Sequence, residues 1–113
     1  MKGRTPSANE KLFHSALASL VGCICCKIDG HYNPTVSIHH IDGRTKPDAH
    51  KLVLPLCAGH HQDGYGIPGL IAVHPWKARF EAKYGVQRRL LAECLLLIAA
   101  TGLDVERWRA DVP

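Results

Sequence analysis

Two pairs of metal-binding side chains recur along this chain at the same short interval: Cys23 with Cys26, and Cys57 with His60. A gap of two residues lets a tight knuckle turn both side chains onto one ion, and two such pairs complete the tetrahedron of a structural zinc site. Cys23, Cys26, Cys57 and His60 are therefore expected to hold one structural Zn2+. The plainer alternative is a set of unrelated buried cysteines beside a surface histidine. Cys25, inside "CICC", is expected to point away from the ion. Cys94, among Leu91, Leu95 and Ile98, reads as a small core residue.

The histidines raise a second chemistry. The stretch "SIHHIDGRTKPDAHKLVLPLCAGHHQDG", Ser37 to Gly64, holds five of the eight in the chain. On a strand His39 and His40 point to opposite faces, so one can bind a metal or stack in the interior while the other faces a cleft. His61 follows His60 directly and would project from a short helix towards the strand. An imidazole titrates near neutrality, so its neutral form can take a proton from water at cellular pH. His74 is either a further ligand of a catalytic cation or a helix cap. Asp63 and Asp42 are carboxylates near enough in sequence to join such a cluster, with turn formation as the alternative. His14 and His31 read as structural or surface groups.

These residues need elements to position them. Ser7 and Glu10 form a capping-box pattern, and Leu12, Phe13, Ala16, Leu17 and Leu20 share a face, which predicts a first helix to about Leu20, ended by Gly22. "CICCKIDGHYNP" reads as turn-forming, "TVSIHHI" as a strand, "GRTKPDAHK" as a basic loop and "LVLPL" as a second strand that Pro55 places at an edge or end. "CAGHHQD" would open a short helix, giving a ββα unit. Pro75 suits a first helical position and Gly85 the residue past the end, so "PWKARFEAKY" is bracketed as a helix with Trp76, Phe80 and Tyr84 four apart. A helix from about Val86 to Thr101 is apolar on most faces and is expected to be core, with a short last helix over 104–110.

Together "CICC", "SIHHIDG" and "LVLPLCAGHHQDG" resemble an HNH, or ββα-metal, nuclease. More narrowly, "HHIDGRTKPDAHKLVLPLCAGHHQDG" with "LIAVHPWKARFEAKYG" resembles the phage Ref group, recombination-enhancement nucleases that depend on RecA. The resemblance runs from about Gly22 to Gly85. It implies that His40 is the general base and that His39 and His61 hold a divalent cation, Mg2+ or another, at the scissile phosphate. It also implies DNA as substrate and the RecA nucleoprotein filament as partner. In place of the asparagine that many HNH proteins carry before the second strand, this chain has His50 and Lys51. His50 is the candidate for orienting the base, an exposed loop histidine being the alternative.

The expected fold class is thus α+β: a small zinc-stabilised ββα-metal (HNH-like) core with additional helices at both ends. A single domain is expected over 1–113, with 1–8 flexible, 22–85 bearing the motifs and 86–113 helical. Lysine and arginine outnumber aspartate and glutamate by 14 to 10, a mild bias that a polyanion partner would favour. Arg44, Lys46 and Lys51 near the loop, with Lys77 and Arg79 on the following helix, are candidate phosphate contacts, and Arg88 and Arg89 add charge. Ala92 to Leu103 is too short and too interrupted to span a bilayer, and "MKGRTPSANE" lacks a signal-peptide core, so no membrane role and a cytoplasmic address are expected. Five cysteines suit metal binding in a reducing compartment better than a disulfide framework. Two other readings stay open: a zinc-stapled nucleic-acid-binding module without catalysis, and a zinc-dependent adaptor for protein contacts.

Overall fold

The computed structural model describes residues 5–62 and 70–109. Helix α1 spans Ala8–Ala16 and starts on the full capping box. The Ser7 side chain accepts from the Glu10 backbone N–H at 3.1 Å, and the Ser7 backbone N–H donates to Glu10 Oε1 at 2.8 Å. The helix continues as a π-helical turn over Leu17–Val21, slightly beyond the expected end at Leu20, and Gly22 then stops it at φ 71°. A side chain at Gly22 would put Cβ 2.7 Å from the Asn33 carbonyl oxygen, which accepts the Cys23 N–H at 2.8 Å. Position 22 therefore needs glycine for both its backbone angle and its clearance.

The segment expected to be turn-forming instead holds a short helix, α2, Ile24–Ile28, capped by the Cys23 sulfur, which accepts the Cys26 N–H at 3.4 Å. Strands β1, Ser37–His40, and β2, Val53–Leu56, pair antiparallel, with Ser37 opposite Leu56 and His40 opposite Val53. Both are shorter than their sequence patterns. β2 is buried along its whole length, while β1 buries only His39 fully. Helix α3, Ala58–His61, follows β2 at once and packs against both strands, so the ββα order is present.

Helix α4, Val73–Tyr84, departs from its expected start. His74 and Trp76 have non-helical backbone angles, so Pro75 is not the first residue of a regular helix. His74 is instead extended and forms an isolated parallel bridge with Gln62, one residue after His61. Phe80 and Tyr84 are buried, whereas Trp76 is exposed beneath the Arg79 guanidinium. Helix α5, Gln87–Ala99, buries Gln87, Leu90, Leu91, Cys94 and Ile98, but Leu96 is 71% exposed. The expectation that most of its faces are core is corrected to a single buried face. Apolar composition cannot reveal that only one side of a helix has something to pack against. Helix α6, Glu106–Arg109, closes the described chain and the short last helix is present there.

One core joins Phe13, Leu17, Val21 and Ile24 from the amino-terminal helices to β2, Phe80 and the inner face of α5. Ala8–Ile28 is long and apolar enough to cross a membrane by composition. Phe13, Leu17, Val21 and Ile24 are, however, at most 1% exposed. Each such burial contributes about 1.5–3 kcal/mol, so the core accounts for the segment's apolarity without a bilayer. The architecture is a small α+β fold with a short antiparallel sheet and flanking helices.

Candidate metal centres

The knuckle after Gly22 and the turn from β2 into α3 bring Cys23, Cys26, Cys57 and His60 into one buried cluster. His60 Nδ1 lies 3.5, 3.7 and 3.3 Å from the sulfurs of Cys23, Cys26 and Cys57, and the Cys26 and Cys57 sulfurs are 3.7 Å apart. Ordinary zinc bond lengths give tetrahedral edges of about 3.5 Å for sulfur to nitrogen and about 3.8 Å for sulfur to sulfur. The donor types and their spacing therefore fit a structural zinc ion.

The surroundings of this cluster support the same fit. The Cys23 thiol is held down at about 3, above all by the hydrogen bond it accepts from Cys25. Cys25 is pushed up by that same bond and by burial, so it keeps its proton and serves Cys23 as a donor. Burial first, and then the charge on Cys23, push Cys26 up to about 12. Sulfurs that oppose each other's ionisation in a buried space are complementary to a divalent cation. On the outer side of His60, Nε2 meets the Tyr84 hydroxyl at 2.9 Å, and that hydroxyl donates to Asp29 Oδ2 at 2.8 Å. Burial, and then Asp29, raise the tyrosine pKa, so Tyr84 stays protonated. Its oxygen then accepts from His60 Nε2–H, which leaves the Nδ1 lone pair facing the sulfurs.

A second cluster forms from His39 on β1, His61 on α3 and His74 in the extended start of α4, with ligand nitrogens within 4.8 Å of one another. The ring centroids are 5.1 Å apart for His39 and His61, 5.0 Å for His39 and His74, and 5.6 Å for His61 and His74. His39 is buried, His61 half-buried and His74 exposed, so the cluster opens to solvent. His39 Nδ1 is buried with no hydrogen-bond partner, an orphaned polar atom that a bound cation would satisfy. His61 Nδ1 is 2.7 Å from Ser37 Oγ, whose hydroxyl reaches the Leu56 carbonyl at 3.5 Å. In that arrangement Nδ1 donates and Nε2 carries the free lone pair. Burial, and then His74, lower the His61 pKa, and burial above all brings His39 down to about 4. Both rings are neutral at pH 7, the state a ligand requires.

His40 lies on the other face of β1 and is not part of that three-histidine cluster. Its Nε2 is 3.0 Å from His50 Nδ1, and His14 Nε2 donates to the His50 carbonyl at 2.7 Å. The His14 contact, made as α1 reaches across the loop, is a structural one, within the expectation for His14. His50 is 1% exposed, not a solvent-facing loop residue. Burial, and then His50 and Arg44, bring the His40 pKa down to about 4.

A cleft of about 360 Å3 joins the two faces; His39, His40, Arg44, His61 and His74 line it. Of the five candidate phosphate contacts, Arg44 alone is among the described residues lining that cleft. Lys77 lines a neighbouring cleft of about 220 Å3 with Asp42, Glu81, Gln87 and Arg88. Lys46 is exposed, Lys51 is half-buried, and neither lines either cleft. Arg79 lies 5.4 Å over the Trp76 ring. Asp42 pairs with Arg88 and does not join the histidines. His31 is exposed. Asp63 lies outside the described residues.

Sequence reasoning missed Gln87, Glu81, Ser37 and Tyr84. Gln87 Oε1 is 2.6 Å from His39 Nε2, and Gln87 Nε2 donates to Glu81 Oε2 at 3.1 Å. A glutamine near the start of a helix carries no local signal of such a contact.

A family model described as "Recombination enhancement, RecA-dependent nuclease" matches residues 6–99. That span includes both clusters and all the helices but the last, and the chain belongs to this family of RecA-dependent, recombination-enhancing nucleases.

Proposed function

We propose that the chain is a metal-dependent endonuclease that hydrolyses phosphodiester bonds in DNA, acting with a RecA nucleoprotein filament in recombination. The observation that carries this reading is the orphaned Nδ1 of His39 beside His61 and His74, in a cleft that also contains His40 and Arg44. The Cys23, Cys26, Cys57 and His60 quartet holds structural zinc in this reading. His39, His61 and His74 hold the catalytic cation, and Asp63 is a further candidate ligand. A divalent cation at these rings supplies positive charge beside the scissile phosphate and the departing oxygen. Within the expectation of Mg2+ or another divalent cation, three imidazoles favour a transition-metal ion such as Ni2+ or Zn2+, because Mg2+ prefers oxygen donors.

His40 is the general base. If its Nε2–H donates to His50 Nδ1, the lone pair sits on Nδ1, ready to accept a proton from water. His14, bonded to the His50 carbonyl, steadies that loop. The water oxygen attacks phosphorus, its proton passes to His40, and the bond to the leaving sugar oxygen breaks. That oxygen takes a proton from solvent, leaving a phosphate monoester and a free hydroxyl. Arg44 contacts the phosphate within the cleft, while Lys46, Lys51, Lys77 and Arg79 are outer contacts for the strand. Such contacts position DNA without reading its sequence, so binding weakens as salt rises.

Plasmid cleavage tests the proposal, using zinc-loaded protein with added Ni2+, Mn2+ or Mg2+, with and without RecA filaments on single-stranded DNA. Metal-dependent cutting is expected, and His40→Ala should slow it about 10²–10⁴-fold while DNA binding and zinc content persist. DNA binding with no cutting under any of these conditions would instead identify a zinc-stapled binding module.

A further inference from the structure

The structure points to a role for two residues outside the strand–strand–helix unit. Glu81 on α4 and Gln87 on α5 form a hydrogen-bonded chain that ends on the ring of His39. The direction of this chain follows from simple chemistry. An ionised carboxylate can only accept, so the Gln87 amide must turn its NH2 towards Glu81. Its carbonyl oxygen then faces His39 Nε2 at 2.6 Å, and a carbonyl can only accept. Nε2 must therefore carry the ring hydrogen, which leaves the lone pair on Nδ1, the buried atom that has no partner.

We propose that Glu81 and Gln87 are positioning residues: they lock His39 in its Nε2–H tautomer and aim Nδ1 at the divalent cation. The inference rests on the metal-dependent reading of the three-histidine cluster. Gln87 is itself buried, at 4% exposure, so it has little freedom to turn away, and Glu81 removes the one ambiguity an amide has. The same logic operates at the zinc quartet, where Tyr84 and Asp29 stand behind His60. Groups behind a metal-bound histidine commonly contribute about 10–100-fold in metal affinity.

The test uses the untagged full chain with the cysteine site filled by zinc. Imidazole 15N shifts report the His39 tautomer before any second metal is added, and calorimetric titration with Ni2+ reports affinity. Expected are an Nε2–H tautomer in the wild type, and Ni2+ binding weakened about 10–100-fold in Gln87→Leu. Exchanging the pair, Glu81→Gln with Gln87→Glu, keeps an acceptor opposite His39 and should recover most of that loss. Retained zinc and an unchanged melting temperature separate this from misfolding. If Gln87→Leu does not fold, the wild-type tautomer and the exchanged pair still decide the question. An Nδ1–H tautomer in the wild type, or an exchanged pair no better than folded Gln87→Leu, overturns the positioning role. Unchanged Ni2+ affinity in Gln87→Leu overturns it too. No Ni2+ binding by a wild type that has the Nε2–H tautomer overturns the metal reading together with it.

Discussion

The two clusters are built from similar residues and behave as opposites. The Cys23–Cys26–Cys57–His60 quartet is closed: its members are at most 6% exposed, and three sulfurs with one nitrogen complete a tetrahedron. The His39–His61–His74 trio runs from buried to exposed and opens into a cleft with Arg44 and His40. Closed sites hold a metal for the sake of the fold, whereas open ones leave a position for a reacting group. Depth and donor type thus separate adjacent residues: His60 is buried among three sulfurs, while His61 lines the open cleft. The two clusters share one device, a hydrogen bond on the outer ring nitrogen of a histidine, between His60 and Tyr84 in one and between His39 and Gln87 in the other.

The largest effect that could break this contrast is loss of the closed site. Cys57→Ser, or stripping the metal with a strong chelator, should abolish cooperative unfolding by circular dichroism, since structural zinc contributes about 10 kcal/mol or more in small domains. A fully folded, chelator-treated chain would remove the distinction between the sites.

A second effect tests the two adjacent histidines of β1 through pH. His39 and His40 are each held near 4 in the folded chain, against about 6.5 when unfolded. Between these values the unfolded chain binds more protons, so stability is fully present above about pH 6.5 and falls as pH drops towards 4. Acid also loosens zinc thiolates, so the comparison needed is a difference. His39→Asn should reduce the pH slope of stability in this window by up to about one proton. An unchanged slope would mean that His39 is not held neutral by burial.

The smallest expected effect sharpens the shared device. Tyr84→Phe removes the hydroxyl between His60 and Asp29 and should weaken zinc retention in chelator competition by about 10–100-fold. Cleft chemistry should change little in the zinc-saturated variant. Unaltered retention would show that the outer hydrogen bond is dispensable in the closed site.

The quartet was legible in the sequence because its information is local: two pairs at knuckle spacing, each within one turn. The ββα order was legible too, since β-branched runs, a basic loop and "CAGHH" follow one another directly. The resemblance from Gly22 to Gly85 underestimated the family span, which reaches 6–99. What escaped depends on contacts between distant elements. Gln87 is 48 residues from His39, and His14 is 36 from His50. Neither residue carries any mark of its partner. The resemblance put residues 39, 40 and 61 at one site, and all three line one cleft. His74, with its bridge to Gln62, joins His39 and His61 in one cluster, and His40 turns to His50 on the other face of β1.

Metal stoichiometry tests the central claim most directly. Purified chain, dialysed against a weak chelator and then equilibrated with Ni2+, is analysed for both elements. The two-site account predicts about one zinc per chain that survives dialysis and about one Ni2+ that is lost in His39→Ala with the zinc unchanged. Ni2+ that only displaces zinc, or a second equivalent indifferent to His39, would contradict it.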